Sequence, residues 1–67
     1  MVVLVITTNQ GKRYEAEVRD HRDANLELVR FSRQYLANHP SDRIVDASVI
    51  SRGSIIARYH NGRLEDF

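Results

Sequence analysis

The sequence predicts a two-layer α+β domain of ββαββ order: a four-stranded, mostly antiparallel sheet with one helix across one face. Three observations carry that expectation. Asp20 to Pro40 is the one stretch long enough for a substantial helix, and its apolar residues recur at helical spacing. Each flank holds two strand-length runs rich in β-branched residues. Within each flank the two runs are separated by a short turn signal, ending in Gly11 on one side and Gly53 on the other.

Val2 to Thr7 is apolar on both parities, Val3 and Val5 on one and Val2, Leu4 and Ile6 on the other, so neither face of this strand belongs safely in water. The residues leave open which parity meets the helix. Lys12 to Arg19 alternates cleanly: Tyr14, Ala16 and Val18 point one way, Arg13, Glu15, Glu17 and Arg19 the other. The helix then starts with a carboxylate cap, either Asp20 with Asp23 three residues on or Asp23 itself. At 100° per residue, Ala24, Leu28, Phe31 and Tyr35 form an inner stripe, widened by Val29, Ser32 and Leu36. Glu27, Arg30, Arg33, Gln34 and Ala37 lie opposite, with Leu26 as an apolar intruder among them. Pro40 stops the helix, because the residue before a proline is pushed out of the α region.

Arg43 to Ser51 reads as a third strand with Val45, Ala47 and Val49 inward, Asp46 and Ser48 outward, and Ile44 and Ile50 sharing the outward parity. Ser54 to His60 reads as the fourth, Ile55, Ala57 and Tyr59 alternating with Ile56, Arg58 and His60. Asn61-Gly62 ends it, and the last five residues read as a short tail whose Phe67 either docks or frays.

A 67-residue chain is one domain, residues 1–67. Such a chain buries only about 60% of its unfolded surface, and a core that small rarely supplies more than ~3–5 kcal/mol without a staple. With no cysteine, disulfides and thiolate zinc sites are excluded. That leaves self-association or very efficient packing, and raises the expectation of association. Ten cations against nine anions give a formal net charge of +1, which offers little bulk attraction for nucleic acid. All the cations but Lys12 are arginine, a bias that GC-rich coding explains more simply than a surface built for planar ion pairs. The apolar start covers six residues and lacks the basic lead of a signal peptide or the ~20 residues of a membrane span. A soluble cytoplasmic protein is the expectation.

No motif for catalysis survives its context. The string His21-Arg22-Asp23 lies at a helix start in a chain far too short for a kinase fold. His21, His39 and His60 match no metal-ligand spacing. The acid pairs Glu15 with Glu17 and Asp42 with Asp46 are explained by cross-strand arginines, and Ser51, Ser54 and His60 form no nucleophile–base pattern. Gly11, Gly53 and Gly62 are turn residues, and so small a fold leaves little room for a ligand pocket of ~300 Å³. The expectation is therefore a non-enzyme without metal or cofactor.

Surface remains. One helix covers one sheet face, and the open face is expected to carry Val2, Leu4, Ile6, Ile50 and Ile56 as a partner-binding patch. A second row, Leu26, Arg30 and Arg33, lies on the outer helix. These features point to a small protein-interaction module, a regulator or inhibitor that covers a partner's surface and forms a homodimer through the open face. Fold-level analogy with small inhibitors and antitoxin-like proteins of phages and mobile elements points the same way. The less favoured alternative is a nucleic-acid-binding module that uses Lys12, Arg13 and Arg52 at the hairpin tips together with the helix arginines.

Overall fold

The computed structural model describes residues 2–66. The elements are β1 (Val2–Thr8), β2 (Arg13–Val18), α1 (His21–Asn38), β3 (Ile44–Ser51), β4 (Ser54–His60) and β5 (Arg63–Asp66). The strands form a five-stranded sheet in the order β2-β1-β3-β4-β5, each neighbouring pair antiparallel. The α+β class is as expected, and the sheet has one strand more than the four predicted. Asn61 and Gly62 do not end β4 but reverse it: both have positive φ, 52° and 87°, as a two-residue hairpin turn requires. His60 then pairs with Arg63 and Tyr59 with Leu64. Phe67, expected to dock or fray, lies outside the described residues.

The core settles the parity of β1. Leu4 and Ile6 have no exposed surface, Thr8 is buried with them, and Val2 packs on the same cluster. They meet Ala24, Leu28 and Phe31 of α1, with Val18, Ala47, Val49, Ala57 and Leu64 completing the core. Burial of each large aliphatic or aromatic side chain here contributes about 1.5–3 kcal/mol. Val2, Leu4 and Ile6 are therefore not an open-face patch. They lie on the helix side, and β1 turns Val3 and Val5 to the open side instead.

Two register shifts correct the reading of β3 and β4. Thr7 pairs with Asp46 but Thr8 with Ile44, so Val45 is an extra residue. The shift turns Ile44 onto the core and leaves Val45 exposed, opposite to the alternation expected for both. Likewise Val49 pairs with Ala57 but Ile50 with Ile55, so Ile56 is extra. Ile55 then shares the face of Ile50, away from Ala57, and both Ile55 and Ile56 are exposed.

The helix begins at Asp20, whose Oδ1 accepts from the Asp23 N–H at 2.9 Å. Asp23 Oδ2 accepts in return from the Arg19 N–H at 2.9 Å. Val29, expected to widen the inner stripe, is exposed. Polar contacts tie both helix ends to the sheet. Near the first turn, the Leu64 N–H donates to Asn25 Oδ1 at 3.0 Å. The Leu64 carbonyl accepts from His21 Nε2 at 2.9 Å and from Asn25 Nδ2 at 3.5 Å. His21 Nδ1 lies 2.5 Å from Asp66 Oδ1, close but not aligned for a hydrogen bond.

Beyond the far end, Asp42 is buried at 6% exposure. Its Oδ1 accepts from the backbone of Gln10 at 3.0 Å and of Arg43 at 2.8 Å, and its Oδ2 from the Tyr35 hydroxyl at 2.7 Å. Desolvation works against the charged carboxylate. The hydrogen bonds from Thr8, Tyr35, Arg43 and Gln10 outweigh it and hold the group at about 2, below its ordinary 3.8. Chiefly through its bond to Asp42, the Tyr35 phenol is raised above its ordinary value of 10.

Two predictions follow from these ties. Because the folded-state value of Asp42 is depressed, its stabilisation is complete above the ordinary carboxylate value and is lost as pH falls through it toward about 2. Urea midpoints measured from pH 6 to pH 2 should fall over that window, and Asp42→Asn should lower the midpoint at neutral pH while flattening the acid limb. Asn25→Ala strands the Leu64 N–H and should cost about 1–3 kcal/mol in urea unfolding. An unchanged midpoint would show that water replaces the amide at no cost.

Candidate functional site

The open face of the sheet is built by cross-strand pairing, since residues directly opposite one another share a face. One row runs Glu17, Val3, Ile50, Ile55, and the next Glu15, Val5, Ser48, Arg58, Glu65. A third runs Arg13, Thr7, Asp46. The apolar centre is therefore Val3, Val5, Ile50 and Ile55, drawn from three neighbouring strands. Of the five residues expected on this face, Ile50 is there, Ile56 is exposed at the β4 irregularity beside it, and Val2, Leu4 and Ile6 are on the other side.

Most of the charge around this centre lies in compensated pairs, with Glu17 beside Val3 outside them. Arg13 Nε lies 2.9 Å from Glu15 Oε2, Arg58 Nη2 3.0 Å from Asp46 Oδ2, and Arg63 Nε 3.3 Å from Glu65 Oε2. Exposed pairs of this kind contribute about 0–1 kcal/mol each. Their consequence lies elsewhere: each pair neutralises its own part of the border.

The outer helix row forms as expected and gains a member. Leu26 is 60% exposed, and Val29 at 47% joins it. Together with Arg30, Arg33 and Gln34 they line a shallow depression of about 350 Å³. Arg30 Nη1 is 3.5 Å from Glu27 Oε1, one turn back. Because α1 lies between this row and the sheet, the row and the open face look in opposite directions.

The basic residues do not converge. β1 and β3 run antiparallel, with Thr8 beside Ile44 at one end and Val2 beside Ser51 at the other. Lys12 and Arg13 follow the first end and Arg52 the second, and Arg13 is engaged by Glu15. Among the described residues no group of three or more His, Cys, Asp or Glu is placed to hold a metal ion, and no helix is long and apolar enough to cross a membrane.

A feature beyond the sequence reading is a column of four rings. Tyr14 and Phe31 have centroids 5.0 Å apart, Phe31 and Tyr35 5.0 Å, and Tyr35 and His39 4.2 Å, the last two pairs stacked within about 12°. The column floors a groove of about 500 Å³ between α1 and β2, flanked by Lys12, Glu27, Arg30 and Gln34. The expectation of little room for a pocket is corrected to that extent. Phe31 and Tyr35 belong to the inner stripe of the helix, and His39 continues their spacing of four. His39 caps the helix C-terminus, and its Nδ1 donates to the Tyr35 carbonyl at 3.0 Å. Comparison with protein families, curated proteins and solved structures returns no match.

Proposed function

We propose that the protein is a small, non-enzymatic, cytoplasmic interaction module, a regulator or inhibitor that acts by laying its open sheet face on a partner protein. The observation that carries this reading is the one-sided burial of the sheet. β1 is apolar on both parities, and α1 covers only the parity of Leu4 and Ile6. Val3, Val5, Ile50 and Ile55 remain as a contiguous apolar centre inside a border of mostly self-paired charges. An apolar core within a polar rim is the anatomy of a protein–protein interface. The mostly paired border favours a partner read by shape and apolar contact over one gathered by long-range charge. The row of Leu26, Val29, Arg30 and Arg33 is a second surface of the same kind, smaller and facing away.

Affinity capture from the native host, with wild type and Val5→Glu as parallel baits, tests the reading. A carboxylate at Val5 enters the centre of the patch without touching the core, so the variant should fold normally by circular dichroism and lose the captured partner. Leu4→Glu places the same charge in the core and should unfold the protein. Capture that survives both Val5→Glu and Ile50→Glu would remove the open face from consideration.

A further inference from the structure

The two edges of the sheet are finished differently. At β5 the outward N–H and carbonyl of Leu64 are taken up by Asn25 and His21. Among the described residues β2 has no such cover. The Thr8 N–H donates to the Lys12 carbonyl at 2.9 Å, which fixes the phase of the β1–β2 ladder. Tyr14, Ala16 and Val18 exchange bonds with β1, and the backbone groups of Arg13, Glu15 and Glu17 point outward. Among the described residues nothing bonds them. The strand has no proline and no bulge, two of the devices that keep an edge from pairing; its charged residues Arg13, Glu15 and Glu17 restrict pairing to a strand of matching charge order.

We propose that this edge pairs with β2 of a second copy, antiparallel about a two-fold axis, to make a ten-stranded sheet. Charge selects both the occupant and the register. Bonded pairs across the new seam come from residues 13, 15 and 17, whose side chains all lie on the open face. Arg13 opposite Arg13 sets like charges together, as does Glu15 opposite Glu17. Arg13 opposite Glu17 brings the two Glu15 carboxylates face to face. Arg13 opposite Glu15 is the register that creates two opposite-charge pairs and no like pair. It also sets Tyr14 against Tyr14 at the axis, on the helix side.

The ring-floored groove between α1 and β2 lies beside this seam. Glu27 and Arg30 on its flank are themselves of opposite sign, so a symmetric neighbour meets complementary charge there as well. The pairing supplies the staple that a core of this size lacks. It uses a different surface from the partner-binding face, which it leaves free and doubles, so either reading stands if the other fails.

Sedimentation equilibrium on the full chain tests the inference, with circular dichroism as the control for folding. Wild type should sediment at twice its 7.8 kDa mass. Arg13→Glu and Glu15→Arg alone should each weaken the dimer about tenfold or more, and the double reversal should restore it. Ile50→Glu, on β3 and not opposite any residue of β2, should leave it unchanged. In the wild type, amide exchange at Glu15 should slow as concentration rises, a readout that needs no variant. A wild-type monomer at hundreds of micromolar, a dimer indifferent to the single reversals, or a folded double reversal that stays monomeric overturns the proposal.

Discussion

Everything in this structure depends on one helix having to serve five strands. A helix with its side chains is about 10–12 Å across, while strands lie about 4.8 Å apart. One helix therefore shields little more than two strands of a flat sheet. Leu4, Ile6 and Val49, on the central strands β1 and β3, have no exposed surface, as that geometry demands. The outer strands reach the helix by other means. The register irregularities at Val45 and Ile56 add twist on the β3–β4 side, and β5 brings Leu64 into the core against α1. On the other side a large side chain bridges the gap, Tyr14 packing at a tilt against Phe31.

Polar contacts then fix where the helix lies. Its first turns are tied to β5 through Asn25, His21 and the Leu64 backbone. Its last turn is tied through Tyr35 to Asp42, which also holds the loop after β1 through Gln10. A hydrogen bond contributes only about 1 kcal/mol net, yet stranding a buried partner costs about 1–3. These ties therefore act more by penalising other placements than by adding stability. They also decide what is left uncovered: the open face, the outer helix row and the β2 edge.

The class of the fold was legible because two strong periodicities agree, helical in 20–40 and alternating on both sides. What was not legible has physical reasons at particular residues. β1 is β-branched on both parities, so its sequence alone holds no information about which set meets the helix. Strict alternation fails where two apolar residues adjoin, Ile44-Val45 and Ile55-Ile56, and both places carry the extra residue that breaks the ladder. β5 reads as a tail because four residues carry little pattern, although Asn61-Gly62 is a strong hairpin signal. Of the candidate surface, the Leu26, Arg30 and Arg33 row and Ile50 stand where expected. Val3, Val5 and Ile55 replace Val2, Leu4 and Ile6 because the helix took the other parity. Asp42 resembled half of an exposed acid pair, since nothing local in sequence announces donors from Thr8, Gln10 and Tyr35.

β1 has one face buried in the core under α1 and one turned to the open side. The chain contains no cysteine, so a single introduced thiol reports directly on its own position. The most direct measurement is the rate at which a soluble thiol reagent labels Leu4→Cys and Val5→Cys in the native protein. Val5→Cys should react under native conditions at dilution, while Leu4→Cys should react only as fast as the protein unfolds. Equal protection at both positions, or protection at Val5→Cys alone, would contradict it.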